Sequence, residues 1–128
     1  MHIDVDNDNV VRAQYDDQDG EWQELTIEKD SEGVISSGDS IYLRAHTGNP
    51  IDIEWEDAQA RYNDKGDWQR FVIEKKDGGN IYIGDTIFLR AHTGKYVDVV
   101  DGLVRARHED MGEWQALTVE ERGIMHHL

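Results

Sequence analysis

One stretch of the chain is written twice. Ser40-Ile41-Tyr42-Leu43-Arg44-Ala45-His46-Thr47-Gly48 returns 46 residues later as Thr86-Ile87-Phe88-Leu89-Arg90-Ala91-His92-Thr93-Gly94. Each copy follows Gly-Asp (Gly38-Asp39, Gly84-Asp85), and each is followed at the same distance by Trp-Gln (Trp68-Gln69, Trp114-Gln115). A further Trp-Gln, Trp22-Gln23, stands another 46 residues upstream. A fixed period of this length means repeated supersecondary units that share one core.

Within each period the segments are short, alternate apolar with polar, and are bounded by Gly, Asp or Asn. In the third copy these are Thr86 to Ala91, Tyr96-Val97-Asp98-Val99, Val104-Arg105-Ala106-Arg107 and Trp114 to Glu120. That alternation is the pattern of half-buried antiparallel strands. No segment keeps a helical period, so the fold class is all-β. Parity puts Leu43, Ala45, Ile51, Ile53, Ala58, Ala60, Phe71 and Ile73 in the core, with their counterparts in the other copies. The single proline, Pro50, falls in a hairpin turn, where a missing N–H does least harm.

Three four-strand units, each too small to bury its own apolar face, close most simply into a β-trefoil, one domain over residues 1–128. Its repeats are 1–32, 33–78 and 79–122, followed by a tail, 123–128. A β-solenoid is the competitor, but 46 residues is long for one coil and three coils leave two open ends. The strand count falls one short. The Leu-Arg-Ala-His-Thr-Gly strand occurs twice, whereas its companions occur three times, so the first strand of repeat one is missing. A barrel lacking one strand exposes two unpaired edges. The tail is expected to fill the gap, because Ile124, Met125 and Leu128 would be out of place in a free terminus. A strand from a second copy, or a notch that binds a partner, are the alternatives.

The repeat resembles that of the fascin-like and hisactophilin-like β-trefoil proteins. The resemblance rests on Leu-Arg-Ala-His-Thr-Gly-Lys-Tyr-Val (Leu89 to Val97), on Val104-Arg105-Ala106, and on a Trp followed by an alternating strand ending at Glu120. It covers nearly the whole chain. It implies a non-enzymatic binder, since relatives of that kind bind actin filaments, membranes, carbohydrates or other proteins. The recurrent Trp-Gln differs from the Gln-x-Trp of ricin-B lectins, so that family's sugar-site residues do not carry over.

The 28 acidic and 13 basic side chains give a formal charge of −15, which repels phosphates and argues against nucleic acid or anionic membranes. No apolar run approaches the roughly 20 residues that span a bilayer. With no cysteine and no opening signal peptide, a cytoplasmic setting is expected over a secreted one. No hydrolase, phosphate-loop, metalloprotease or dinucleotide signature occurs, so no catalytic residue and no cofactor is expected. Asp4, Asp6 and Asp8 alternate like the start of a calcium loop, but no glycine follows at position six and Tyr15 stands where the bidentate Glu belongs. The acidic loops before each Trp are turn chemistry, and His126-His127 would point to opposite faces of a strand. No metal site is expected.

For ligand binding, His46-Thr47 and His92-Thr93 place an imidazole and a hydroxyl on a tight turn. Asp52, or Tyr96 and Asp98, follows on the next strand. Such donors and acceptors can hold sugar hydroxyls. Trp22, Trp68 and Trp114 follow the repeat and are expected to be structural. Trp55 breaks it: Asn7 or Asp101 aligns there, and its neighbours are Glu54, Glu56 and Asp57. A turn tryptophan beside carboxylates suits stacking on a sugar or on a partner's side chain. The expected function is therefore a carbohydrate-binding, lectin-like module. The alternative is an acidic domain that docks a basic protein surface. A monomer is expected, with a strand-sharing dimer as the other possibility.

Overall fold

The computed structural model describes residues 1–14 and 20–126. These form a β-trefoil of twelve strands: β1 (His2–Val5), β2 (Val11–Gln14), β3 (Leu25–Glu28), β4 (Ser40–Ala45), β5 (Asp52–Glu54), β6 (Asp57–Gln59), β7 (Phe71–Glu74), β8 (Thr86–Ala91), β9 (Tyr96–Val100), β10 (Leu103–His108), β11 (Leu117–Val119) and β12 (Ile124–His126). The barrel runs β3-β4-β7-β8-β11-β12. It closes where Leu25 N–H donates to Arg122 O at 2.9 Å. Three hairpins, β1-β2, β5-β6 and β9-β10, cap one end. They meet around the threefold axis through Leu103 opposite Arg12, Arg105 opposite Asp57, and Val10 opposite Gln59.

All eight core positions fixed by parity are buried, from Ile53, Ala60 and Ile73 at 0% exposure to Ala58 at 7%. Strand alternation therefore did set which face looks inward. Ile3, Val5, Leu89, Val97, Val99, Ala106 and Leu117 complete the same layers in the other repeats.

The strand absent from the start of repeat one is supplied by the tail. β12 pairs with β11 (Leu117 opposite His126, Val119 opposite Ile124) and with β1 (His2 opposite Met125). The pairing has the register of its counterpart, in which Leu25 stands opposite Ala45 and Ile27 opposite Leu43. Ile124 thus occupies the place of Leu43 and is 1% exposed. Met1 takes the place of Asn49: His126 N–H donates to Met1 O at 2.8 Å as Ala45 N–H donates to Asn49 O at 2.9 Å. Gly123 falls where Tyr42 and Phe88 stand. A Cβ there would lie 2.6 Å from the Gln23 carbonyl oxygen, so no larger residue fits without moving backbone. His127 and Leu128 lie outside the described residues.

Replacing Ile124 by alanine is expected to cost about 2–5 kcal/mol, the usual toll for emptying a buried aliphatic site. Removing residues 123–128 also takes away both strand pairings, so its urea midpoint should fall further than that of Ile124→Ala. Equilibrium unfolding in urea checks both, and a tail deletion as stable as the intact chain would contradict this closure.

Candidate functional site

The sequence candidates divide into those spent on the fold and one that is not. His46 Nε2–H donates to Val5 O at 2.9 Å, and His92 Nε2–H donates to Ile53 O at 3.0 Å. Each imidazole thus ties the turn after a repeat's first strand to the hairpin of the preceding repeat. Thr47 Oγ1 accepts from Asn49 N–H, and Thr93 Oγ1 from Lys95 N–H, both at 3.3 Å. These are turn-closing bonds. Asp52 and Asp98 are both wholly buried, and Arg61 (3.2 Å) and Arg107 (3.1 Å) approach their Oδ2 atoms. Burial still pushes the Asp52 carboxyl above its usual range, with Arg61 acting against the rise. Tyr96 is buried, and its hydroxyl lies between Glu74 and Arg90. Burial, with Glu74 beside it, raises that phenol.

Trp55 is the exception. It is 84% exposed, and its backbone is left-handed, with φ of 59°. An L side chain pays about 1–2 kcal/mol for that region, least for Asn and Asp. The corresponding turns obey the rule: Asn9 (φ 68°) and Asp101 (φ 54°) hold the left-handed position in the other two hairpins. In repeat one the turn is longer: Asn7 aligns with Trp55, and the left-handed place passes to Asn9, whose carbonyl accepts from Ala60 N–H as those of Glu56 and Gly102 accept from Ala106 and Ala13 N–H. Trp55 breaks a backbone preference and exposes an indole, and the fold gains from neither.

Its surroundings come from both flanking strands. Arg61, just after β6, bonds Glu54 at 2.6 Å, and its guanidinium lies 5.0 Å from the ring centre of Tyr62. Tyr62 is 53% exposed. The single-turn 3-10 helix Asp67–Gln69 packs on β5, and the His92 turn bonds the carbonyl of Ile53. The fold therefore gathers Trp55, Glu54, Arg61, Tyr62 and His92 on the repeat-two hairpin. His46, Tyr96 and Asp98 belong to other parts of the molecule. Tyr62 was missed in the sequence although His108 stands at its counterpart; its other signal was its place next to the arginine that meets Asp52.

The repeated Trp-Gln turns out to be a glutamine motif. Gln69 Oε1 accepts from Gly66 N–H and Gln115 Oε1 from Gly112 N–H, both at 3.0 Å, and both side chains are buried. These glutamines pin the loop before the last strand, while Trp22, Trp68 and Trp114 lie outside at 36%, 45% and 46% exposure. Asp6 closes its own turn by accepting from Asp8 and Val10 N–H. Among the described residues no group of three His, Cys, Asp or Glu could hold a metal ion. The stretch Tyr15 to Asp19, including the acidic loop before Trp22, lies outside them.

One buried pair is incomplete. Two residues beyond the partner of each strand aspartate stand Arg61, Arg107 and, in repeat one, Gln14. Asp4, 3% exposed, has no guanidinium at that place, and burial raises its pKa while Arg12 lowers it. A carboxyl raised by burial is disfavoured when charged, so its ionisation costs stability above its folded pKa, and protonation relieves the cost as pH falls. Asp4→Asn is expected to raise Tm at pH 7. The gain should shrink toward zero as pH is lowered through the Asp4 titration, as scanning calorimetry across pH can follow.

No protein-family model matches the chain, and no curated protein matches it in sequence. Among solved structures it is similar to ThreeFoil, a designed threefold symmetric protein. The two share 24% identity over 89% of this chain and 86% of that one, with a TM-score of 0.60. That likeness shows the β-trefoil fold.

Proposed function

We propose that this protein is a non-enzymatic binding module whose ligand is a carbohydrate, held on the β5-β6 hairpin around Trp55. The observation that carries the reading is the exposed, left-handed Trp55 at a position where the fold asks for Asn, Asp or Gly. Residues kept in costly conformations and not used by the core cluster at functional sites. An indole face stacks on the apolar C–H face of a sugar, and carboxylates beside it accept from hydroxyls. Glu56 and Asp57 are exposed next to Trp55, and Glu54 is held in place by Arg61. His92 orients the base of the same hairpin. The finer resemblance to fascin-like and hisactophilin-like repeats supports a binder. It does not single out actin, an acidic filament that a chain of charge −15 would repel.

The second reading, an acidic domain docking a basic protein, is favoured by that charge, and salt separates the two. Stacking and neutral hydrogen bonds change little between low and high salt, whereas docking on a basic surface weakens steeply.

The test is glycan-array binding of the intact chain beside Trp55→Asn. The variant should lose all array signal yet raise Tm by a few degrees, because about 1 kcal/mol of backbone strain is released. A variant that keeps the signal, or that melts lower, would sink the reading.

A further inference from the structure

Threefold symmetry is broken most heavily at the end of the barrel away from the hairpin cap. There the connections between repeats, residues 29–39 and 75–85, lie against each other. Ser36 bridges Asn80, Ser37 N–H donates to Gly79 O, and Ile81 N–H donates to Ile35 O, both bonds at 2.8 Å. The third connection, from β11 to β12, consists only of residues 120–123, closed by Glu120 N–H to Gly123 O at 2.9 Å. A whole linker is absent from the ring.

The vacancy is a groove of about 520 Å³ floored by Leu25, Ile27 and Val119, with Ile83 on its wall. Ile83 is the counterpart of Ser37, yet its N–H makes none of the backbone bonds that Ser37 makes. Ile83 is 67% exposed and Tyr82 beside it is 61% exposed. The open edge thus offers apolar side chains and unpaired backbone, the features an added extended segment uses.

The rim states what that segment carries. In the two complete linkers, Lys29 and Lys75 start the connection and bond Asp39 (2.8 Å) and Asp85 (3.0 Å). At the third equivalent position stands Glu121, with Glu24 and Glu120 nearby; Arg122 lies 3.7 Å from Glu24, and the His2 ring meets Glu120. The lysine of the ring has become a carboxylate, which leaves the rim with more acids than bases and suits a basic complement.

We infer that this gap is a docking groove for an extended segment of a partner protein, apolar at its centre and bearing Lys or Arg at its ends. A second copy of this chain is disfavoured, since it would bring a further net charge of −15 to an acidic rim. The groove is separate from the Trp55 hairpin, and the inference does not rest on the carbohydrate reading.

The probe is a labelled peptide with the sequence of residues 75–85, the nearest template for the absent linker. It is titrated into the full chain by fluorescence anisotropy and mapped by amide chemical shifts. Saturable binding is expected, with shifts confined to Leu25 to Ile27, Ile83 and Val119 to Gly123. A scrambled peptide, and the Ile83→Asp variant of the protein, should each bind about tenfold more weakly, with the variant's Tm unchanged. The same peptide with Lys in place of its two Asp should bind more tightly at low salt. Trp55→Asn should leave all of this unchanged, whatever becomes of its glycan binding. No saturable binding, equal binding of the scrambled peptide, shifts elsewhere, or a second copy competing for the groove would each overturn the proposal.

Discussion

The structure depends on closing a barrel of six strands when the chain supplies only five of them as parts of its repeats. Each repeat buries its apolar face only against the other two, so a barrel open at one seam would expose all three. The closing strand, β12, does this together with the two residues before it. Ile124 fills the core layer shared with Leu43 and Leu89, Gly123 lets the Gln23 carbonyl approach, and Leu25 N–H joins the two ends of the sheet through Arg122 O. The register of β12 on β11 repeats that of β4 on β3, so the tail enters as the missing element and not as an adventitious cover.

Much of this was legible before any coordinates. The period of 46 residues required three units, parity chose the inward residues, and the apolar tail pointed to its own strand. Site chemistry was harder to read, for a specific reason. His46 and His92 look available because their partners, Val5 O and Ile53 O, belong to another repeat and carry no side-chain signature. Asp52 and Asp98 look like ligands until Arg61 and Arg107, nine residues on, are seen to fold back across the hairpin. That spacing was present in the sequence in two repeats. Its loss at Gln14 was the readable sign that Asp4 is the odd member. Trp-Gln misled in a different way: tryptophan dominates the eye, while the buried, loop-closing group is the glutamine.

Departures from symmetry separate the needs of the fold from other constraints. A residue that recurs in every repeat is explained by packing or turn geometry wherever its contacts can be traced. Trp55, Gln14 and the shortened third linker are not explained in that way. Gln14 leaves a buried carboxylate without its guanidinium, which costs stability at neutral pH. Trp55 costs backbone strain and exposes an indole. Neither change strengthens the barrel, and natural sequences place such local conflicts at functional positions more than elsewhere.

The shortened linker differs from those two because its cost is spread over several interactions. A complete linker contributes an ion pair, a backbone bridge to its neighbour and a cover for the barrel floor. In the two that exist, Asp39 and Asp85 each accept from a lysine and from a backbone N–H, which holds both carboxyls below their usual range. Such groups stabilise the fold above their unfolded pKa and lose that contribution as acid protonates them. A third linker would have added the same set. Shortening alone would leave a lysine at its start, free to turn into solvent. The chain has Glu121 there, beside Glu24 and Glu120, so the carboxylates gather where the ring is open. Glu24 and Glu120 have Arg122 and His2 beside them, but Glu121 adds a further carboxylate where the ring has lysine, and like charges brought together repel one another. The open end is therefore uncovered and carries an excess of carboxylates, and a basic, extended segment answers both conditions at once.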